Sequence, residues 1–298
     1  MNRCMKKYFA FIAVAFISCT RPVPALVFQT DFGLKDGAVA EMKGVALSVG
    51  PSLQLFDITH EIPPYNVWEA AYRLNQAASF WPTGTVFVSV VDPGVGTARR
   101  SVVLKTRSGH YFVTPDNGTL TLVAKNLGID EIREIDESIN RRKGSEQSNT
   151  FYGRDVYAYT AARLAAHKIS FKKIGKKLAD SVVSINYQRA IIDNHVIKGN
   201  IPVLDIQFGN VWTNIADSLI YKAGIKYGDS LRVEFFNNDS PVYKTIVPLV
   251  KTFGSVPEGN LLAYFNSLMD FSIAINQGNF SNKYNIYSGP NWSIQITK

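Results

Sequence analysis

The sequence predicts an α/β fold: an N-terminal domain on a largely parallel sheet, then an antiparallel β domain. Three observations carry that reading. From residue 26 to about 178, short apolar runs alternate with segments of helical period, the pattern of β-α-β units. Residues 85–91 (TVFVSVV) form a nearly continuous apolar, β-prone run, as expected of a central strand covered on both faces. Beyond Ser184 the helical segments give way to short alternating ones split by Gly, Asn and Asp. A chain of 298 residues, at roughly 100–200 per domain, accommodates both units.

Residues 26–30 (LVFQT) read as the first strand. A turn follows, then a helix over about 37–48 with Val39, Met42 and Val45 on one face. The next strand, 53–58 (LQLFDI), leads to Asn66, an N-cap for a helix carrying Val67, Ala70, Ala71, Leu74, Ala78 and Trp81. After the strand 85–91 and Asp92-Pro93-Gly94-Val95-Gly96, strands are expected at 101–104 and 110–114. Pro115-Asp116-Asn117-Gly118 then forms a turn into a helix that ends near Leu127. Residues 139–149 are polar and loop-like, and a helix over 154–167 closes the domain. Strands are expected at 203–206, 231–235 and 243–250 in the second domain. The organisation predicted is a leader (1–19), a linker (20–25), an N-terminal domain (26–188) and a C-terminal domain (189–298).

With 46% apolar, 12% aromatic and 19% charged residues, the chain has the composition of a folded globule and not of a disordered segment. Cys4 and Cys19, the two cysteines, both precede the body, which excludes disulfides, CxxC redox pairs and Cys-bound zinc there. The net charge is +8, but Arg3, Lys6 and Lys7 belong to the leader and the other basic residues are scattered. Lys172, Lys173, Lys176 and Lys177 have no interleaved aromatics and read as a solvated face, so no nucleic-acid partner is expected. The leader joins a basic start to ten apolar residues, about half a membrane span, and ends in Ile17-Ser18-Cys19, similar to a relaxed bacterial lipobox. The protein is therefore expected to be an exported lipoprotein anchored through Cys19, with cleavage after Ala25 as the alternative.

Three strand-like runs reach an acid: Asp31, Asp57 and Asp92. Ligands of open α/β sheets bind at the carboxyl ends of strands, which makes Asp31 and Asp92 candidates to line a pocket. Such acids can hold Mg²⁺, accept hydrogen bonds from sugar hydroxyls or face a cation. Gly94-Val95-Gly96 fails as a dinucleotide fingerprint because position 99 is Arg and a strand follows where a helix is required. The GxxxxGK[ST], HExxH and GxSxG patterns do not occur. His60, His110, His167 and His195 stand far apart without metal spacing and read as structural, so no metal site is expected.

The segments TDFGLKDGAVAEMKG (30–44), ITHEIPPYNVWEAA (58–71), VVDPGVGTARR (90–100), FVTPDNG (112–118), TFYGRDVYA (150–158) and DIQFGNVWTNI (205–215) form one ordered pattern. It resembles the S-adenosylmethionine (SAM) hydrolases (adenosine-forming), also called SAM hydroxide adenosyltransferases, whose superfamily includes the fluorinase and chlorinase. The likeness runs from about 26 to 280. It implies a β-barrel-like C-terminal domain, a homotrimer with SAM bound between subunits, and no cofactor, SAM being the substrate. By motif, Asp31 would grip both ribose hydroxyls, while Asp36 and Asp205 would lie near the methionine portion, where a carboxylate can meet the α-ammonium. Tyr65 would stand against the ribose and methionine chain, with Thr150 and Phe151 in the same substrate-binding set. Phe208 would pack on adenine and Asn210 would read its edge. Ser267 would contact the methionine carboxylate; the next residue, Leu268, is Arg in some halogenases, so a cationic clamp is missing or supplied elsewhere.

The implied reaction is SN2 attack of water or hydroxide on C5′ of the ribose, with methionine leaving. Hydrolases of this kind hold the water with an Asp-Arg-His triad. Asp92 and Arg99 match its first two members, but Tyr152 stands where the His would be. Halogenases also lack that His, yet carry Tyr where this chain has Asp92. A Tyr hydroxyl, with an ordinary pKa near 10, can hold water but is a weaker general base than His near neutrality. Metal-independent hydrolysis is the activity expected, with a halogenase or a non-catalytic SAM-binding lipoprotein as alternatives.

Overall fold

The structure, a computed structural model, describes residues 25–94 and 96–298; the leader with Cys19, residues 20–24 and Val95 lie outside the described residues. Six strands form the first sheet: β1 (Leu26–Thr30), β2 (Leu55–Thr59), β3 (Val86–Val90), β4 (Ser101–Thr106), β5 (Tyr111–Pro115) and β6 (Ile129–Glu134). Their order is β2-β1-β3-β5-β4-β6. The first four in that order are parallel, and β4 runs antiparallel to both its neighbours.

β1 and β3 are buried at every position because both faces of the sheet are covered. Alternation sends Leu26 and Phe28 to one face, against Met42 and Ala46 of α1 (Ala38–Val49). Val27 and Phe87 go to the other, against Leu74 and Ala78 of α2 (Val67–Ala78) and Val123 of α3 (Thr121–Leu127). Asn66 caps α2 as expected: its side chain accepts from the Glu69 N–H at 3.0 Å, a cap worth ~1 kcal/mol.

In the first domain the structure departs from expectation at several points: α2 ends at Ala78, so Trp81 lies beyond the helix, and three further elements differ. β6 was not anticipated, because IDEIRE buries one residue fully and lies on the sheet edge, where alternation is weak. The polar stretch begins with a short α4 (Glu137–Asn140). The last helix opens as a π-helix over Gly153–Ala158 before continuing as α5 (Tyr159–Ala165); such widened turns accompany functional sites.

The C-terminal region comprises β7 (Ile191–Asp193), β8 (Val196–Asn200), β9 (Val203–Asp205), β10 (Asn210–Ala216), β11 (Ser230–Asn237), β12 (Ser240–Pro248), β13 (Leu261–Phe265), β14 (Asp270–Ile275) and β15 (Trp292–Thr297). They form two antiparallel sheets, β13-β14-β10-β9 and β12-β11-β15-β8-β7, around a core that includes Val211, Ile273, Phe235 and Ile294. The pairings among the described residues do not close a barrel. Helix α2 ties the halves together: Trp68 Nε1 donates to the Pro202 carbonyl and Arg73 to the Leu204 carbonyl, each at 2.8 Å.

Candidate functional site

The chain places β2 on one side of β1 and β3 on the other, so the crevice beyond β1 and β3 is a switch point of the sheet. Thr30 pairs with Val90, which sets Asp31 and Asp92 beyond neighbouring strand ends. Asp57, by contrast, lies inside β2 and not at its end. Asp31 Oδ2 accepts from the Tyr65 backbone N–H at 2.8 Å. Tyr65 sits at φ 67, a left-handed conformation that costs a non-glycine residue energy, and the residue is 68% exposed.

The Asp92 side chain is only 5% exposed; Oδ1 accepts from the Gly94 N–H at 3.0 Å, and the carboxylate pairs with the Arg99 guanidinium. Arg99 reaches it because β4 starts opposite Pro115, at the carboxyl end of β5 and hence beside the end of β3. The guanidinium lies so close over Gly94 that a Cβ there would displace it. The PDNG turn secures the same strand end: Asn117 Nδ2 donates to the Val91 carbonyl, and Arg100 to Asp116, each at 2.7 Å.

Beneath the TDFG turn, Thr30 Oγ1 meets His60 Nδ1 at 2.8 Å, and His60 Nε2 meets Asp57 Oδ1 at 3.0 Å. Lys43 donates to Asp57 Oδ2 at 2.6 Å. Burial pushes the Asp57 carboxyl up, but Lys43 and His60 outweigh it and hold the group below its ordinary value. His60 is thus structural, buttressing the turn that carries Asp31.

Asp31, Tyr65 and Asp92 line a depression of about 420 Å³, while Asp36, Thr150, Phe151 and Tyr152 line a neighbouring one of about 430 Å³; Phe32 and Val90 border both. Asp36 Oδ1 accepts from the Ala38 N–H at 2.9 Å, so this acid also starts α1. Phe32 packs edge-on against Phe151 at 5.8 Å, and the Arg141 guanidinium covers the Tyr152 ring at 4.8 Å. Asp155, in the same motif as Tyr152, is fully buried between Arg142 and Arg154; burial raises its pKa, but the two arginines prevail and hold it low.

Asp205, Phe208, Asn210 and Ser267 line a separate cavity of about 790 Å³, within the roughly 300–1,000 Å³ of small-molecule sites. Asn210 faces Asp205 across the β9–β10 hairpin, and its Nδ2 donates to Asp205 Oδ2 at 3.0 Å. Gly209 turns that hairpin at φ 70, where a Cβ would run into the Asn279 amide. Tyr264 has its pKa pushed up to about 12, chiefly by burial and further by the Asp205 charge, against the opposing Trp212 hydrogen bond.

Within one chain the expected site residues therefore fall into two groups, at the strand ends of the first sheet and in the C-terminal cavity. Phe32, Trp212, Tyr264 and Asn266 also line these surfaces and were not singled out from the sequence. Trp212 is two residues beyond Asn210 on the same strand face, the one local signal that marks it. Among the described residues, no three His, Cys, Asp or Glu come together as a metal site.

The family model for the SAM hydroxide adenosyltransferase N-terminal domain matches residues 26–175, and that for the C-terminal domain matches 199–293. A fluorinase from Nocardia brasiliensis is 31% identical, covering 92% of this chain and 97% of that protein. Two (R)-S-adenosyl-L-methionine hydrolases are each 36% identical. The one from Methanocaldococcus jannaschii covers 70% of this chain and 72% of its own, and the one from Salinispora tropica covers 86% and 92%. A crystal structure of a conserved protein from Thermotoga maritima, 36% identical, superposes with a TM-score of 0.84 over 92% of this chain and 100% of that one. Domain pairing, fold and motif order agree across both halves, and the chain belongs to the SAM hydroxide adenosyltransferase family.

Proposed function

We propose that the protein hydrolyses SAM to adenosine and L-methionine. A water oxygen attacks C5′ of the ribose as the C5′–S bond breaks; its electron pair passes to sulfur, cancelling the sulfonium charge, and the attacking water gives up a proton to solvent. Asp31 has a carboxylate oxygen beyond the one used on Tyr65 to offer the ribose diol. Phe208 and Asn210 take the adenine, and Asp36, Asp205 and Ser267 the amino-acid end. Tyr65, Thr150 and Phe151 enclose the ribose and chain.

The observation that carries hydrolysis over halide transfer is the nearly buried Asp92 carboxylate, paired with Arg99 beside Asp31. A carboxylate accepts a hydrogen bond from water and turns a lone pair toward C5′, whereas it repels a halide. Tyr152 in place of the triad His, together with fluorinase relatives, favours the second reading of a halogenase. A homotrimer would complete the site, one copy bringing its C-terminal cavity to the Asp31–Asp92 depression of the next. The reaction so written requires no metal or redox cofactor.

Incubating the purified protein with SAM, with and without chloride, and separating the products by chromatography tests the reading. Adenosine and methionine in both are expected. A 5′-chloro nucleoside would move the protein to the halogenases, and SAM binding without turnover would leave a binding protein.

A further inference from the structure

The segment from Val156 to Ala179 contains no acid and six basic residues, Arg163, Lys168, Lys172, Lys173, Lys176 and Lys177. Its path gathers the lysines at one corner of the first sheet. Ala166, just past α5, lies beside Gly50, where a Cβ would stand 3.1 Å from its own, and Gly50 leads into β2. The Gln54 carbonyl there accepts from the Leu26 N–H at 3.0 Å, so Lys168 emerges near the start of β1. Phe171 then packs on Tyr111, the first residue of β5, at 5.6 Å. From there the chain follows the edge strand β6: the Glu134 N–H donates to the Lys176 carbonyl at 3.0 Å and the Leu178 N–H to the Ile132 carbonyl at 2.9 Å. Arg133 fastens the segment by donating to the Lys172 and Gly175 carbonyls at 2.9 and 2.8 Å.

All five lysines are exposed. The acids of β6 are already matched, Asp130 by Lys105, Glu131 by Arg133 and Glu134 by Lys176, and Lys168, Lys172, Lys173 and Lys177 form no ion pair among the described residues. Ammonium groups held together in this way attract a surface of opposite sign. Phe171, the one aromatic among the lysines, is half-buried between Tyr111 and Arg133, so a nucleic-acid base finds no stacking surface there. A bilayer is favoured by where the chain enters the sheet. Leu26 aligns with Val86 and Val86 with Tyr111, two strand spacings or about 10 Å. The entry point therefore lies beside the basic surface, at the opposite end of β1 from Asp31. Cys19, the residue expected to carry lipid, precedes Leu26 by seven residues, a reach of at most about 25 Å. We infer that this lysine surface contacts the anionic headgroups of a phospholipid bilayer and so holds the Asp31–Asp92 crevice turned away from the membrane. The inference is independent of what the crevice turns over.

Both family domains and the cores described above lie after residue 24, so residues 20–298 carry the fold and can be tested without the leader. They are sedimented with vesicles of phosphatidylcholine alone and with about one-third phosphatidylglycerol, at about 50 and about 500 mM salt. Binding is expected on the anionic vesicles at low salt. Lys168→Gln, Lys172→Gln, Lys173→Gln and Lys177→Gln together should cut it about 100-fold or more, at roughly fivefold for each lysine near an anionic surface. The melting temperature should stay within about 2 °C, because the four side chains are in solvent. Lys222→Gln, Lys226→Gln, Lys244→Gln and Lys251→Gln, exposed residues of the second domain, remove the same charge and should leave binding within about threefold. Equal losses from the two sets would reduce the effect to net charge and overturn the assignment. So would equal binding to neutral vesicles, no binding at low salt, or tighter binding to a DNA duplex of random sequence, which would make this a nucleic-acid surface.

Discussion

At the N-terminal strand ends every acid of the site already has a protein partner. Asp31 holds the Tyr65 N–H, Asp36 the Ala38 N–H, and Asp92 the Gly94 N–H and Arg99, along depressions of about 420 and 430 Å³. The C-terminal cavity is larger, about 790 Å³, walled by Trp212, Phe253 and Tyr264, and it leaves Phe208 63% exposed. Charge fixed in place before substrate arrives suits a reacting centre, because no reorganisation is needed as the transition state forms. Apolar walls with a few polar groups suit recognition of a ligand. On the proposed function the reacting centre lies at the N-terminal strand ends, which also hold the ribose, while the adenine is held by the C-terminal cavity alone, so Asp92 and Phe208 substitutions should fail in different ways.

The largest effect expected is that of Asp92→Ala, which on the proposed function removes the water's acceptor and leaves Arg99 without its carboxylate. Turnover should fall about 100-fold or more while the calorimetric Kd for SAM moves less than about threefold. A rise in Kd with kcat preserved would erase the division. Phe208→Ala sharpens it from the other side. Loss of a stacking surface should raise Kd about tenfold, with single-turnover rates at saturating SAM changed less than about twofold. Slowed chemistry at saturation would instead place Phe208 at the reacting centre.

Much of this arrangement was legible because the physics is local. The β1 and β3 sequences are apolar on both faces, which identifies central strands, and an acid within two residues of each strand's end identifies the crevice. Asp57 misled for the same reason: an acid late in an apolar run looks like a strand end, yet here it lies inside the edge strand, its charge met by Lys43 and His60. β6 escaped notice because an edge strand needs little apolar alternation. The tight turn from β13 into β14 was not legible at all. It depends on the Asn266 Oδ1 accepting from the backbone N–H groups of Leu268 and Asp270, and no spacing of residue types encodes that. Nor does periodicity reveal that the site residues form two groups facing different surfaces; that follows from how α2 docks the second domain.

The smallest effect on catalysis, and the one that probes how the two regions are joined, is expected at Asp270. It begins β14 on the far side of the Asn266 turn and lines a cleft of about 580 Å³ between the domains, with Tyr72, Lys125 and Arg189 around it. Burial, and then the nearby Asp217 charge, push its pKa up to about 7 from an ordinary 3.8. Between those values the folded state keeps a proton that the unfolded chain has lost. Its contribution to stability is therefore complete below about pH 4 and declines as pH rises through about 7. Asp270→Asn keeps the shape and removes the titration. The variant and the wild type should melt together near pH 4, and the variant should melt about 5 °C higher at pH 8, with kcat/KM for SAM within about twofold. A melting difference independent of pH would show that the carboxyl is hydrated in the cleft and that the junction between the two domains carries no buried charge there.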